Sequence, residues 1–308
     1  MSASCKNVVK KFGSVRAVDG VDLEIPSGSV FGLVGPNGAG KTTLFSIMAG
    51  FIRPDSGSVT VLGEKPGKLP PGRLSVLPQD ARLAKGIPVG RQLELMARLQ
   101  GFPKRKARDE VLRVLELCDM RNYAAAAPET LSHGMAKRVA IAQAFIGNPE
   151  FVLLDEPLAG LDPAQARRIR LLVKREAGKR TFVISSHVMA DVEALCTHVA
   201  IIKAGRITAQ PSVDQLTRRE EVVVVRLSRR PEQSTRDAFA GLPYVLEARI
   251  VPEEKQLVLN VQPGEMNQDE IITDIITRLS ELGLSFVGLQ KGTSLEEAVL
   301  AEIGKDGG

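Results

Sequence analysis

Residues 35–43 read GPNGAGKTT, directly after the apolar run SVFGLV and at the start of the helical pattern KTTLFSIMAGF. Few stretches limit a chain's fold as strongly. The pattern is Gly, four residues, then Gly-Lys-Thr, and it sits between a strand and a helix, the context in which it binds phosphate. Gly35, Gly38 and Gly40 let the backbone turn back on itself, so that successive N–H groups converge on one phosphate chain. The helix that follows adds its positive end. Lys41 supplies a point charge for the terminal phosphates, the Thr42 hydroxyl suits Mg2+, and Thr43 can donate to a phosphate oxygen. Such a loop belongs at the carboxyl edge of a mostly parallel sheet.

The first two-thirds of the chain has the alternation that such a sheet needs. SVFGLVG (29–35), RLSVLP (73–78), FVLLDE (151–156), TFVISS (181–186) and HVAIIKAG (198–205) are short apolar runs ending in turn residues. They read as buried parallel strands. RQLELMARLQG, RDEVLRVLELCDM, MAKRVAIAQAFIG and AQARRIRLLVKREA carry helical spacing between them, and residues 85–147 form a largely helical insertion. From about residue 220 the order changes. VVVVRL, VLEARIV, QLVLNV and SFVGLQ read as strands, and PEQSTRDAFAG and DEIITDIITRLSELG as helices. That βαββαβ order predicts a small α+β ferredoxin-like unit. SLEEAVLAEIG closes the chain as a helix with Ser294 as its cap. The boundaries expected are therefore 1–216 for an α/β domain and 220–308 for an accessory or regulatory domain, joined by PSVDQLTRREE (211–221).

FVLLDEP (151–157) supplies a second half to the chemistry. Four apolar residues bury the strand, and two carboxylates emerge at its carboxyl end. Asp155 is placed to hold Mg2+ or its water, and Glu156 to polarise an attacking water.

These segments resemble the ATP-binding cassette (ABC) ATPases, with the family's motifs in its order. GPNGAGKTT matches the first Walker motif and FVLLDEP the second. Gln79 in SVLPQD stands at the glutamine loop, LSHGM (131–135) at the signature loop, AGLDP (159–163) at the loop after the second Walker motif, and SSH (185–187) at the switch histidine. Phe12 in KKFGSVRAV occupies the position of the aromatic residue that stacks on adenine. The match spans residues from about 5 to 215.

The resemblance implies a P-loop NTPase cassette with a helical subdomain, ATP and Mg2+ as ligands, and hydrolysis. ATP would lie on Phe12 and on Asn37, Gly38, Ala39, Gly40, Lys41, Thr42 and Thr43, with Gln79 nearby. Mg2+ would be held by Thr42, Asp155 and Gln79. Glu156, His187 and Lys41 would carry the catalysis. Two cassettes would pair head to tail, as a homodimer or with a similar chain. Ser132, His133 and Gly134 would then face the nucleotide of the other subunit, and Asp162 would couple the two sites. His133 and Met135 replace the glycine and glutamine of the common LSGGQ form. His133 is expected to contribute backbone amide rather than act as a base or metal ligand. The ending GTSLEEAVLAEIG is similar to one exporter branch with an extra C-terminal domain, whose partner is a separate transmembrane permease.

Composition narrows the field further. With 308 residues and 44% hydrophobic content, the chain can bury two cores. Lys and Arg total 41 against 36 for Asp and Glu, and aromatics make up 4% with no Trp. That excess is too small, and rings too few, to expect a nucleic-acid partner. Cys5, Cys118 and Cys196 lack metal spacing and read as reduced thiols. No apolar run reaches the roughly 18–20 residues of a membrane span, and MSASCKNVVKKFG has no signal core. The chain is expected on the cytoplasmic face of a membrane through its permease. The basic series from Arg167 to Arg180 reads as a solvated helix face, and His198 as structural. Two rival classes remain: a cassette working on ribosomes or DNA, and an importer subunit. One ATPase core, no long coiled coil and a βαββαβ tail favour the exporter.

Overall fold

The structure, a computed structural model, describes residues 1–213, 222–262, 264 and 266–292. These fall into two compact units, one ending at Val213 and the other containing the described residues from Val222 onward. Ser294, the closing helix expected after it, and most of the expected joint lie outside the described residues.

The first unit contains two sheets. Its larger one has the order β5-β6-β7-β3-β8-β9. Here β3 is Val30–Val34, β5 Leu74–Leu77, β6 Phe151–Asp155, β7 Thr181–Ser186, β8 His198–Lys203 and β9 Arg206–Ala209. All pairs are parallel except β8 with β9. Every residue of β3, β6 and β7 is buried. Strands covered on both faces read as unbroken apolar runs, which is why the sequence betrays them. Phe31, Phe151 and Phe182 are fully buried on these three strands.

The second sheet has no counterpart in the sequence reading. β1 (Ala3–Phe12), β2 (Val15–Ile25) and β4 (Ser56–Val61) form an antiparallel sheet of order β2-β1-β4. The pairing of β1 with β2 shifts register three times. Those shifts break the period-two alternation that would announce a half-buried strand.

The helical insertion consists of α2 (Val89–Leu99), α3 (Lys104–Leu117), two short 3-10 turns and α4 (His133–Ala144), as expected. The helix α1 (Lys41–Met48) follows the phosphate loop, α5 (Pro163–Glu176) follows β6, and α6 (Met189–Leu195) follows β7. The basic series, which begins on α5 and ends in the turn after it, corrects one expectation. Arg180 is 7% exposed, because its guanidinium donates to Glu176 at 2.7 Å and to Asn148 at 3.0 Å and lies over the Phe145 ring. It is a paired core residue rather than part of a solvated face.

The second unit has the expected ferredoxin-like order. β10 (Val222–Leu227), β11 (Val245–Val251), β12 (Gln256–Val261) and β13 (Phe286–Lys291) form an antiparallel sheet of order β11-β12-β10-β13. The helices α7 (Gln233–Ala240) and α8 (Gln268–Glu281) pack one face of it through Phe239, Ile271, Ile275 and Leu279. Asn267 and Glu270 close the start of α8 with a capping box.

Candidate functional site

The phosphate loop is built as the glycines predict. Gly38 and Gly40 have φ of 79° and 107°, which only glycine adopts without strain. Gly35 is needed for another reason: a β-carbon there would lie 2.2 Å from the Ile202 carbonyl oxygen. The loop delivers the chain into α1, whose first residue is Lys41. The Lys41 amine donates to the carbonyls of Gly35 at 2.7 Å and Pro36 at 3.0 Å. Burial lowers its pKa, opposed by the charges of Glu156 and Asp155. The amine thus braces the loop from within.

The carboxyl end of β6 brings the acids to the same edge. The Thr42 hydroxyl donates to Asp155 Oδ2 at 3.3 Å. On the other oxygen, Asp155 accepts a short hydrogen bond from the buried Ser185 hydroxyl. Ser185 in turn accepts from the Glu156 amide at 2.9 Å. Register explains the meeting, since Asp155 and Ser185 are paired neighbours on β6 and β7. Glu156 sits at φ 49°, a left-handed backbone that costs a non-glycine residue about 1–3 kcal/mol. That turn leaves its carboxylate 8% exposed, with both oxygens 2.8 Å from Nδ1 of His187. The loop holding His187 is closed by Ser186, whose hydroxyl accepts from the Val188 amide at 3.0 Å.

A cleft of about 530 Å³ gathers Asn37, Gly38, Gly40, Lys41, Thr42, Thr43, Gln79, Asp155 and Glu156 along its wall. Val15, Arg16, Ala17 and Ala204 complete it, and the sequence reading missed all four. Their one signal was adjacency: three of them directly follow the Phe12 turn. Phe12 itself is 52% exposed, pairs with Val15 across that turn, and carries the Lys10 ammonium 5.6 Å from its ring centre. It is not among the residues lining the cleft. Ala39 is buried under the loop and donates to the Pro36 carbonyl.

The signature residues stand elsewhere. Ser132 caps α4, its hydroxyl oxygen accepting from the Met135 amide at 3.3 Å. Capping uses a lone pair, so the O–H remains available as a donor. His133 is the first residue of α4 and lines a separate cleft of about 360 Å³, which Gln79 also lines. Lys137, one turn along, faces this cleft too; burial lowers its pKa against the charges of Asp155, Glu156 and Asp80. Gly134 is buried. Asp162 caps α5 by accepting from the Gln165 amide at 2.9 Å. His198 contacts Thr197 at 3.0 Å.

Oxygen donors fit a hard divalent cation. Thr42 and Asp155 already touch, and Gln79 shares their cleft. Mg2+ asks for little more, since it keeps several waters and takes substrate phosphates. The described residues contain no cluster of three or more His, Cys, Asp or Glu able to hold a metal by themselves. Among them no helix is long and apolar enough to cross a membrane.

Comparison with known proteins agrees with this geometry. The model of the ABC transporter family matches residues 18–159. Nod factor export ATP-binding protein I of Cupriavidus metallidurans is 37% identical over 217 residues, covering 68% of this chain and 71% of that protein. The daunorubicin/doxorubicin resistance ATP-binding protein DrrA of Streptomyces peucetius is 30% identical over 303 residues, covering 96% of this chain and 91% of that one. Among solved structures, cbiO1 from Clostridium perfringens, part of the ABC transporter complex cbiONQ, has a TM-score of 0.62 at 25% identity. It covers 70% of this chain and 90% of its own.

Proposed function

This chain belongs to the ABC transporter family, and from that premise we propose that it is the ATP-hydrolysing subunit of an exporter whose membrane-spanning permease is a separate protein. Its two named relatives are export and resistance ATP-binding proteins. The likeness to the second runs through nearly the whole chain, the C-terminal unit included.

One observation carries the reading. Behind a formed phosphate loop, Thr42, Asp155 and Glu156 line one cleft at one sheet edge, with Thr42 on Asp155 and His187 holding Glu156 from beside it. In this reading the loop amides and Lys41 hold the triphosphate, and the β1–β2 turn, with Phe12 at its rim, holds the base. Mg2+, when bound, neutralises charge on the phosphate oxygens, held by Thr42 and Asp155 with Gln79 nearby. Glu156 accepts a proton from, and orients, the attacking water. His187 fixes the Glu156 carboxylate and presents its other nitrogen toward the terminal phosphate. Positioning and charge stabilisation supply most of phosphoryl transfer, so a rigid, buried carboxylate suits the task.

Two copies close on two nucleotides, each offering Ser132, Gly134 and the start of α4 to the other's terminal phosphate. Asp162 links the two sites. Closing and reopening drives the permease, which anchors the subunit at the cytoplasmic face of the membrane. The C-terminal unit supports pairing or regulates it. The test is direct: purified chain with Mg-ATP releases phosphate and dimerises, and Lys41→Ala abolishes both. Solubilised membranes yield a multi-span protein with the tagged chain. Recovery of ribosomes or nucleic acid instead overturns the transport reading.

A further inference from the structure

Two close approaches join the signature loop to the segment after β6 within a single chain. A β-carbon on Gly134 would collide with the carboxamide end of the Gln165 side chain. The carboxamide of Gln165 therefore occupies the space that any side chain at 134 would need. One residue earlier the roles are reversed. His133 presents the ring, and a β-carbon on Gly160 would lie 3.2 Å from its Nε2. Gly160 has φ 74°, so glycine serves both the backbone and the ring packed against it. Gln165 lies one turn into α5, and its amide is fixed by the Asp162 cap. The two contacts thus tie Ser132–Gly134 to Gly160–Asp162.

We propose that Gln165 is a positioning residue for nucleotide-driven closure: its carboxamide over Gly134, with the His133 ring over Gly160, clasps the two partner-facing loops of one subunit so that they advance as one body. The clasp rests on the pairing described under Proposed function. It also accounts for the histidine in LSHGM, which gains a steric seat that a glycine at 133 lacks. Gly134 lies in α4 and takes no left-handed φ, so its backbone accepts alanine. A methyl there can be housed only by swinging the flexible Gln165 side chain out of its seat. Gly134→Ala and Gln165→Ala therefore undo the same contact.

The experiment uses the full chain in a Glu156→Gln background, where turnover does not erase the dimer. ATP is titrated and dimer formation followed by size exclusion with light scattering. Gln165→Ala raises the half-maximal ATP concentration by about tenfold, in the range of couplings carried by packed side chains. In the Gly134→Ala background the same change adds less than about twofold, because contacting residues are non-additive. Gln165→Met, which keeps the volume, restores most of the loss. Binding of a fluorescent ATP analogue to the monomer's own phosphate loop and the melting temperature stay unchanged. Unaltered dimerisation in Gln165→Ala, strict additivity with Gly134→Ala, or a loss that merely follows the melting temperature overturns the clasp alone. Failure of the Glu156→Gln parent to dimerise with ATP overturns the reading of the site, and the clasp with it.

Discussion

Nδ1 of His187 stands 2.8 Å from both oxygens of the Glu156 carboxylate, joining the ends of β6 and β7. The contact is specific because Glu156 is fixed from behind by its own amide on Ser185. Each half of this arrangement yields a measurable expectation.

Glu156→Gln keeps the volume and the hydrogen bond to His187 but cannot take a proton. Phosphate release falls by at least about 100-fold, the scale of lost general-base catalysis. ATP binding persists, and an ATP-dependent dimer accumulates on size exclusion. Turnover near the parent rate removes Glu156 from the reaction.

His187→Ala leaves the Glu156 carboxylate intact but unrestrained. Turnover drops by about 10–100-fold through kcat, with KM for ATP within about threefold, since the loss falls on the transition state. A large rise in KM with kcat preserved would place His187 in binding instead.

Ser185→Ala removes the hydroxyl that bridges Asp155 and the Glu156 amide. Ser185 is fully buried, so the orphaned groups cost about 1–3 kcal/mol in urea unfolding. Turnover also falls, because both acids lose their register. Unchanged stability and turnover would show the bridge to be dispensable.

Glu110 tests the helical insertion by pH. It accepts from Arg113 at 2.6 and 2.8 Å and from the Gly147 amide at 2.8 Å. Burial acts to raise its pKa, but the Arg113 and Gly147 hydrogen bonds outweigh it, and the net shift is downward. A carboxyl depressed on folding adds stability above its unfolded pKa of about 4.3 and loses it as pH falls through the lower folded value. Glu110→Gln is therefore less stable than the parent by about 1–3 kcal/mol at neutral pH. The difference shrinks below pH of about 4. A gap that stays constant to the acid end contradicts the assignment.

The parts legible in the sequence were those whose cause is local. GPNGAGKTT specifies a turn, an anion seat and a helix start within nine residues. FVLLD announces a doubly covered strand by composition alone. The three-stranded sheet was hidden because β1 pairs with β4 some fifty residues away and with β2 through three register shifts. With it went Val15, Arg16 and Ala17, which reach the cleft only because that sheet leans over the phosphate loop. Arg180 looked solvated because a charge in sequence carries no sign of its partners; Glu176, Asn148 and Phe145 become its neighbours only in the fold. Ser185 was visible only as part of a switch loop, and its bridge depends on the pairing of β6 with β7.

The seam between the two sheets has a lasting effect. A β-carbon on Gly40 would lie 2.2 Å from the Ala17 carbonyl oxygen, and one on Gly205 3.1 Å from it. The hairpin therefore rests on the loop through main-chain atoms, a contact indifferent to the side chain at residue 17 but dependent on glycine at 40. Side chains at the rim are free to drift, while the seat beneath them is not. In the proposed reading, preference among nucleobases and the power to split the triphosphate are inherited on separate stretches of chain, and one can change across generations without endangering the other.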